Sequence, residues 1–143
     1  MSALPFLLHL VLPLAGEDPC DGKPTGHVLS ERSESLGHGF KLARRAVCND
    51  PEFWEAIGHF HFLFFKDREL GQVGQRSISP SGRYALFESV GKLLLFDVKD
   101  RLVRDVTDGE FSLPKFIKWD EKREIVTVSY YEDHSPSTIS LAK

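Results

Sequence analysis

From residue 77 onward, short apolar runs alternate with closely spaced turn signals. These signals are Pro80-Ser81-Gly82, Val90-Gly91, Lys99-Asp100-Arg101, Asp108-Gly109, Asp120-Glu121-Lys122 and the stretch 133–136. Apolar runs of this length between Gly, Pro and Asp clusters predict strands, here at about 83–89, 92–98, 102–106, 114–119, 123–131 and 137–142. Connections of only a few residues make successive strands antiparallel. In 84–87 and 93–98 both sides of the pleat are apolar, which predicts a sheet covered on both faces.

The first half of the chain is less regular. Residues 1–16 (MSALPFLLHLVLPLAG) carry no charged side chain, and small Ala15-Gly16 precede Glu17-Asp18. This order fits a secretory signal cleaved near Ala15 or Gly16, leaving 17–143 as a single domain. His9 within the run, and the lack of Lys or Arg after Met1, fit a buried N-terminal strand instead. Residues 17–39 are polar and rich in Gly, Pro and Ser, and read as a loop or extended arm. A strand is expected at 40–47. Asp50 then stands as a helix cap, Pro51 at the first helical position and Gly58 as a stop, predicting one short helix near 50–57 with Phe53, Trp54 and Ile57 on its apolar side. The aromatic run HFHFLFF at 59–65 is too short for a helix and predicts a buried strand.

Residues 78–89 (ISPSGRYALFES) overlay residues 117–128 (IKWDEKREIVTV) at an offset of 39 residues, close to the ~40–45 of a propeller blade. SPSGR at 79–83 and LLFD at 94–97 match two patterns common in such blades. Over about 77–141 the chain resembles WD-repeat and related β-propeller proteins, with blade-like repeats at about 77–115 and 116–143. Ring closure takes at least about four blades. The resemblance therefore implies an all-β fold of two twisted antiparallel blade-like sheets packed together, an incomplete propeller with one short helix. The alternative is an oligomer or larger assembly that completes a ring.

The 143 residues carry a net charge of −3, and their apolar share of 41% is that of a folded domain. No sustained Lys/Arg stripe is present, which argues against nucleic acid as a partner. After the first residues no apolar run is long enough to span a bilayer, so the mature protein is expected to have no membrane span. Cys20 and Cys48 are the only cysteines. In an exported protein they form one disulfide; in a cytosolic one they are two buried thiols. They are too far apart for a redox C-x-x-C pair and too few for a zinc site.

Candidate chemistry is sparse. His59 and His61 fall on one side of a strand, where two imidazoles can share a metal, but no third ligand has a recognisable spacing. No metal and no cofactor are therefore expected. Asp133-His134-Ser135 holds the residue types of a hydrolase triad, yet a triad converges from separate segments. GQVG at 71–74 lacks the Lys-Ser/Thr of a phosphate loop. Loop tips are the better candidates: Glu88, Ser89, Val90 and Gly91 in one hairpin, and Tyr130, Tyr131, Glu132 and Asp133 at the start of another loop.

An apolar start, an early cysteine, a polar arm and then SGRYALFESVGKLLLFD follow one another. In this order the chain resembles periplasmic immunity proteins that neutralise peptidoglycan amidases delivered by type VI secretion. Those proteins are small, disulfide-containing and built from blade-like sheets without a closed ring. The resemblance implies a non-enzymatic, periplasmic or secreted binding protein whose protein partner is an amidase effector. Glu88 and Ser89 would then reach the partner's catalytic Cys/His pair. The chain departs from that pattern in having one serine at the tip and only two cysteines. The competing readings are a metal-binding protein or enzyme centred on His59 and His61, and a subunit of a larger propeller.

Overall fold

The structure, a computed structural model, describes residues 18–142. The signal expected at 1–16 lies outside them. The described chain is all-β, with strands β1 (Val28–Gly37), β2 (Phe40–Cys48), β3 (Ile57–Phe65), β4 (Arg68–Gln72), β5 (Arg76–Ile78), β6 (Tyr84–Ser89), β7 (Lys92–Asp97), β8 (Leu102–Asp105), β9 (Pro114–Asp120), β10 (Ile125–Tyr130) and β11 (Ser137–Ser140). They form three antiparallel sheets, β1-β2-β3-β4, β5-β6-β7-β8 and β9-β10-β11, none of them closed. Neighbours in space are thus neighbours in sequence. Among the described residues no helix is long and apolar enough to cross a membrane.

Two expectations need correction. There are three sheets rather than two, because β2, β3 and β4 pair into a sheet of their own, and the polar arm adds β1 at its edge. β1 reads VLSERSESLG and is exposed at nearly every position, so it shows no apolar alternation from which a strand could be inferred. The helix near 50–57 does not form; residues 51–54 are turns and bends. Asp50 does cap, accepting the Glu52 amide at 2.9 Å on its side chain and the Phe53 amide at 2.9 Å on its carbonyl. The turn stops there. So short a helix depends on packing its apolar side, and Phe53 and Trp54 are 62% and 92% exposed.

Residues 18–31 and 45–59 pack as one unit, and 32–44 with 60–142 as another. In the first, Cys20 and Cys48 form a disulfide with a Cα–Cα separation of 5.5 Å. The Cys48 amide donates to the His27 carbonyl and the Gly26 amide to the Cys48 carbonyl, so the polar segment is laid along the end of β2.

In the second unit the core has two layers, one on each face of the β5–β8 sheet. The register pairs Leu86 with Leu95 and Ala85 with Phe96. Strand alternation therefore sends Tyr84, Leu86, Leu93 and Leu95 to one face and Ala85, Phe87 and Phe96 to the other. The first set packs with Val126, Val128, Ile139 and Leu141 of the third sheet and the residues after it. The second packs with Phe40, Leu42, Leu63, Phe65 and Val73. The rings of Phe40, Phe65 and Phe96 meet with centroids 5.0 to 6.2 Å apart. Apolar residues on both sides of 84–87 and 93–96 are thus accounted for by burial on both sides.

SPSGR is the turn that starts this sheet's central ladder. Ser79 is buried, and its hydroxyl accepts the Tyr84 amide at 3.0 Å. Gly82 takes φ +80°, and a Cβ there would lie 2.3 Å from the His38 ring, so a side chain is excluded on both counts. Arg83 donates from Nε and Nη2 to the two oxygens of Asp97, each at 3.2 Å, and lies over the Tyr84 ring. Tyr84 stacks on Trp119, whose indole N–H donates to Ser77 at 2.8 Å. Ser81 binds the Glu121 carboxylate through its amide and hydroxyl, joining the first turn to the corresponding turn of the next sheet. The polar side chains of the motif are thus engaged in holding the fold.

Burial pushes the Asp97 carboxyl up, but the Arg83 guanidinium and the Lys99 amide outweigh it and hold it below the usual carboxylate range. A lowered folded-state pKa contributes stability that is complete above the ordinary Asp value of about 3.9 and lost as pH falls through the folded value. Asp97→Asn should lower stability at neutral pH by about 1–2 kcal/mol and flatten the loss below pH ~4, both read by denaturant melts across pH. An unchanged acid limb would remove Asp97 as its source. Replacing both cysteines by Ser should remove about 3–4 kcal/mol of loop-closure stabilisation. Hydrogen exchange should show the loss in residues 20–27 and 45–57 while the amides of 84–96 stay protected.

Candidate functional site

β6 and β7 are joined by a two-residue loop, Val90-Gly91, with Ser89 opposite Lys92. Both loop residues have positive φ, +47° and +75°, the geometry of a type I′ turn whose twist matches the hairpin. Such turns favour Asn-Gly or Asp-Gly. Four other non-glycine residues among those described have positive φ, His38, Lys66, Arg101 and Glu124, and none is β-branched. Val90 is, and its side chain crowds the backbone in the left-handed region at a cost of about 1–2 kcal/mol. It is also 81% exposed, so no packing offsets that cost.

The rest of the predicted tip is divided. Glu88 exchanges backbone hydrogen bonds with Gly74 and Gln75 at 2.9 and 2.8 Å, and its carboxylate lies over Gly74. A Cβ at Gly74 would sit 2.0 Å from that carboxylate, so glycine there makes the space. Ser89 is half-buried beside Gly71. Val90, Gly91 and Lys92 are the exposed part. Immediately below them Phe87, Leu93 and Leu95 are wholly buried, so the tip stands on a fixed base.

The second candidate loop follows β10. A register shift between Ser129 and Tyr130 sets Tyr130 opposite Pro114. Its hydroxyl donates to Ser137 Oγ at 2.8 Å, and Ser137 Oγ donates to Asp108 at 3.0 Å. The Tyr130 ring meets His134 with centroids 4.4 Å apart. Tyr130 therefore closes the loop, while Tyr131, Glu132 and Asp133 are exposed. Lys115 Nζ lies 5.7 Å from the Tyr131 ring centroid and 5.5 Å from that of Phe116, which is 65% exposed. Phe116 lies on a strand whose alternate residues Ile117 and Trp119 face the core. Its outward position follows from register, a signal that its residue type masks.

The bases of these two loops meet one segment. Thr107 Oγ1 accepts the Leu93 amide at 2.9 Å, and Asp108 receives Ser137. Leu93, Thr107, Asp108 and Tyr130 share a small recess with Glu110, Phe111 and Ser112. The Thr107 hydroxyl and amide hold the Asp105 carboxyl below its usual range and so tie the end of β8 to this segment.

His59 is exposed and His61 half-buried; among the described residues no three His, Cys, Asp or Glu side chains group as metal ligands. His134 donates from Nδ1 to the adjacent Ser135 carbonyl at 2.8 Å and packs on Tyr130. An open cleft of about 420 Å³ is lined by Phe65, Lys66, Asp67, Arg68, Phe96 and Arg101. Arg68 spans it, donating to the Arg101 carbonyl at 2.8 Å and lying over Phe96.

The aromatics at 53–54 escaped the sequence reading as surface residues. Asn49 clamps the neck of their loop, its amide on the Ala56 carbonyl and its side chain on the Glu55 carbonyl. Comparison with protein families, with curated proteins and with solved structures finds no match.

Proposed function

We propose that the chain is a non-enzymatic, exported binding protein that presents the Val90-Gly91 turn to the cleft of a protein partner. The observation that carries this reading is Val90 itself. An exposed β-branched residue in the left-handed region gives the fold nothing in return for its strain. Asparagine would make the same turn at lower cost. A projecting apolar side chain on a two-residue hairpin, with its base buried on both faces of a sheet, loses little freedom on binding.

The disulfide agrees with an oxidising compartment and so with export. The most concrete version of the reading is an immunity protein that blocks a cell-wall amidase toxin, and its support is the sequence resemblance over the β6–β7 hairpin. In this version Val90 and Gly91 enter the cleft, Ser89 borders it and Lys92 stands beside them. Glu88 is reassigned to the base, since its backbone and carboxylate are committed to residues 74–75.

Val90→Asn separates binding from folding. It should raise the thermal midpoint by a few degrees, as about 1 kcal/mol of backbone strain is relieved, and weaken partner binding at least tenfold. Wild-type and variant proteins are used as matched baits in periplasmic extract, and captured proteins are assayed for peptidoglycan amidase activity with and without bait. Partners recovered equally by both would overturn the hairpin assignment. A captured partner without amidase activity would overturn the toxin assignment alone.

A further inference from the structure

β1 is the longest of the described strands, 10 residues, and lies at the outer edge of its sheet with β2 as its strand neighbour. The other edge strands run 5, 3, 4, 7 and 4 residues. A long edge offers a row of unpaired amides and carbonyls to any passing strand, and sheet proteins usually shorten, charge or cover it. β1 is not short, and among the described residues it is not covered: every residue is exposed except Leu29 and Leu36, which are half-buried. What it has is charge, at Glu31, Arg32 and Glu34.

The placement of those charges selects a partner. We propose that β1 is a dimerisation edge, pairing antiparallel with β1 of a second copy about a twofold axis at Ser33. The axis relating two such edges stands perpendicular to the sheet, so each face maps onto itself. Residues directly opposite one another in a ladder also point to the same face. A symmetric pairing must therefore set one residue opposite its own counterpart. Centred on Glu31, Arg32 or Glu34, it opposes like charges, which destabilises the ladder. Centred on Ser33, it sets Arg32 opposite Glu34 of the second copy, twice by symmetry, and Glu31 opposite Ser35. Glu31 already has Arg45 as an ion-pair partner.

The same register pairs the strand from Leu29 to Gly37, nearly its whole length. Centres further out, at Ser30 or Ser35, pair only about half of it. Charge and overlap thus agree on one register, while the same charges disfavour slipped pairings and unrelated strands. Two-fold closure leaves no second β1 edge exposed, so assembly stops at two. This inference is independent of the hairpin reading.

The test uses the purified, disulfide-intact chain. Sedimentation equilibrium should give twice the chain mass. Under mild oxidation Ser33→Cys should form an intermolecular disulfide, because directly opposed residues have Cα atoms about 4.5–5.5 Å apart. Ser30→Cys should not, since its counterpart is about 20 Å away along the strand. Arg32→Glu and Glu34→Arg should each weaken the dimer on the order of tenfold, and the double variant, with complementarity restored, should recover wild-type affinity. Chain mass at every concentration, equal crosslinking at 30 and 33, or a double variant no tighter than the singles would each overturn the proposal.

Discussion

Burial of the β6–β7 ladder on both of its faces is the constraint from which the rest of the second unit follows. A sheet with one solvated face alternates apolar and polar residues, and a single partner layer then suffices. Here Leu86 and Leu95 face one way while Ala85, Phe87 and Phe96 face the other, and all are wholly or almost wholly buried. Each face needs its own apolar layer. One is supplied by Phe40, Leu42, Leu63 and Phe65 and the other by Val126, Val128, Ile139 and Leu141. Truncation of a wholly buried phenylalanine such as Phe87 costs about 3–5 kcal/mol, a large share of a domain's stability.

Polar groups in that unit serve the same ladder. Ser79, Arg83 and Asp97 fasten one end of it, and Thr107 fastens the amide of Leu93 near the other. Ser81 and Glu121 link the turns that open successive sheets. With the base so constrained, the exposed turn between β6 and β7 can hold a strained valine without relaxing into another register. Strain at an exposed tip needs a rigid mount, and the two-sided core provides one.

Legibility in the sequence tracked how locally each feature was decided. SPSGR, the LLFD run and the one-glycine turn at Val90-Gly91 were readable, because turn chemistry and strand alternation act over a few residues. β1 was not, since SERSES has neither apolar alternation nor strong strand formers and is a strand by virtue of pairing with β2. The helix expected from Asp50-Pro51 had a genuine cap and lacked a surface to pack on, so capping gave a turn and left Trp54 in solvent. Of the candidate site residues, Val90, Gly91, Tyr131, Glu132 and Asp133 are exposed as loop tips should be. Glu88 and Tyr130 are held in the framework by Gly74, Gln75, Ser137 and His134, partners distant enough in sequence or irregular enough in spacing to leave no pattern.

By itself the sequence determined the all-β class, the positions of the central strands and their turns, and which two cysteines were available to pair. These depend on side-chain period, on backbone preferences of Gly, Pro and Asp, and on simple number. Tertiary structure alone decided that there are three sheets, that both faces of the middle one are covered, and that the cysteines join. It also decided which loop residues are free. Exposure is a property of what lies opposite a residue after folding: Glu88 and Val90 are two positions apart on one hairpin, and only the backbone of residues 74–75 separates a bound carboxylate from a bare side chain.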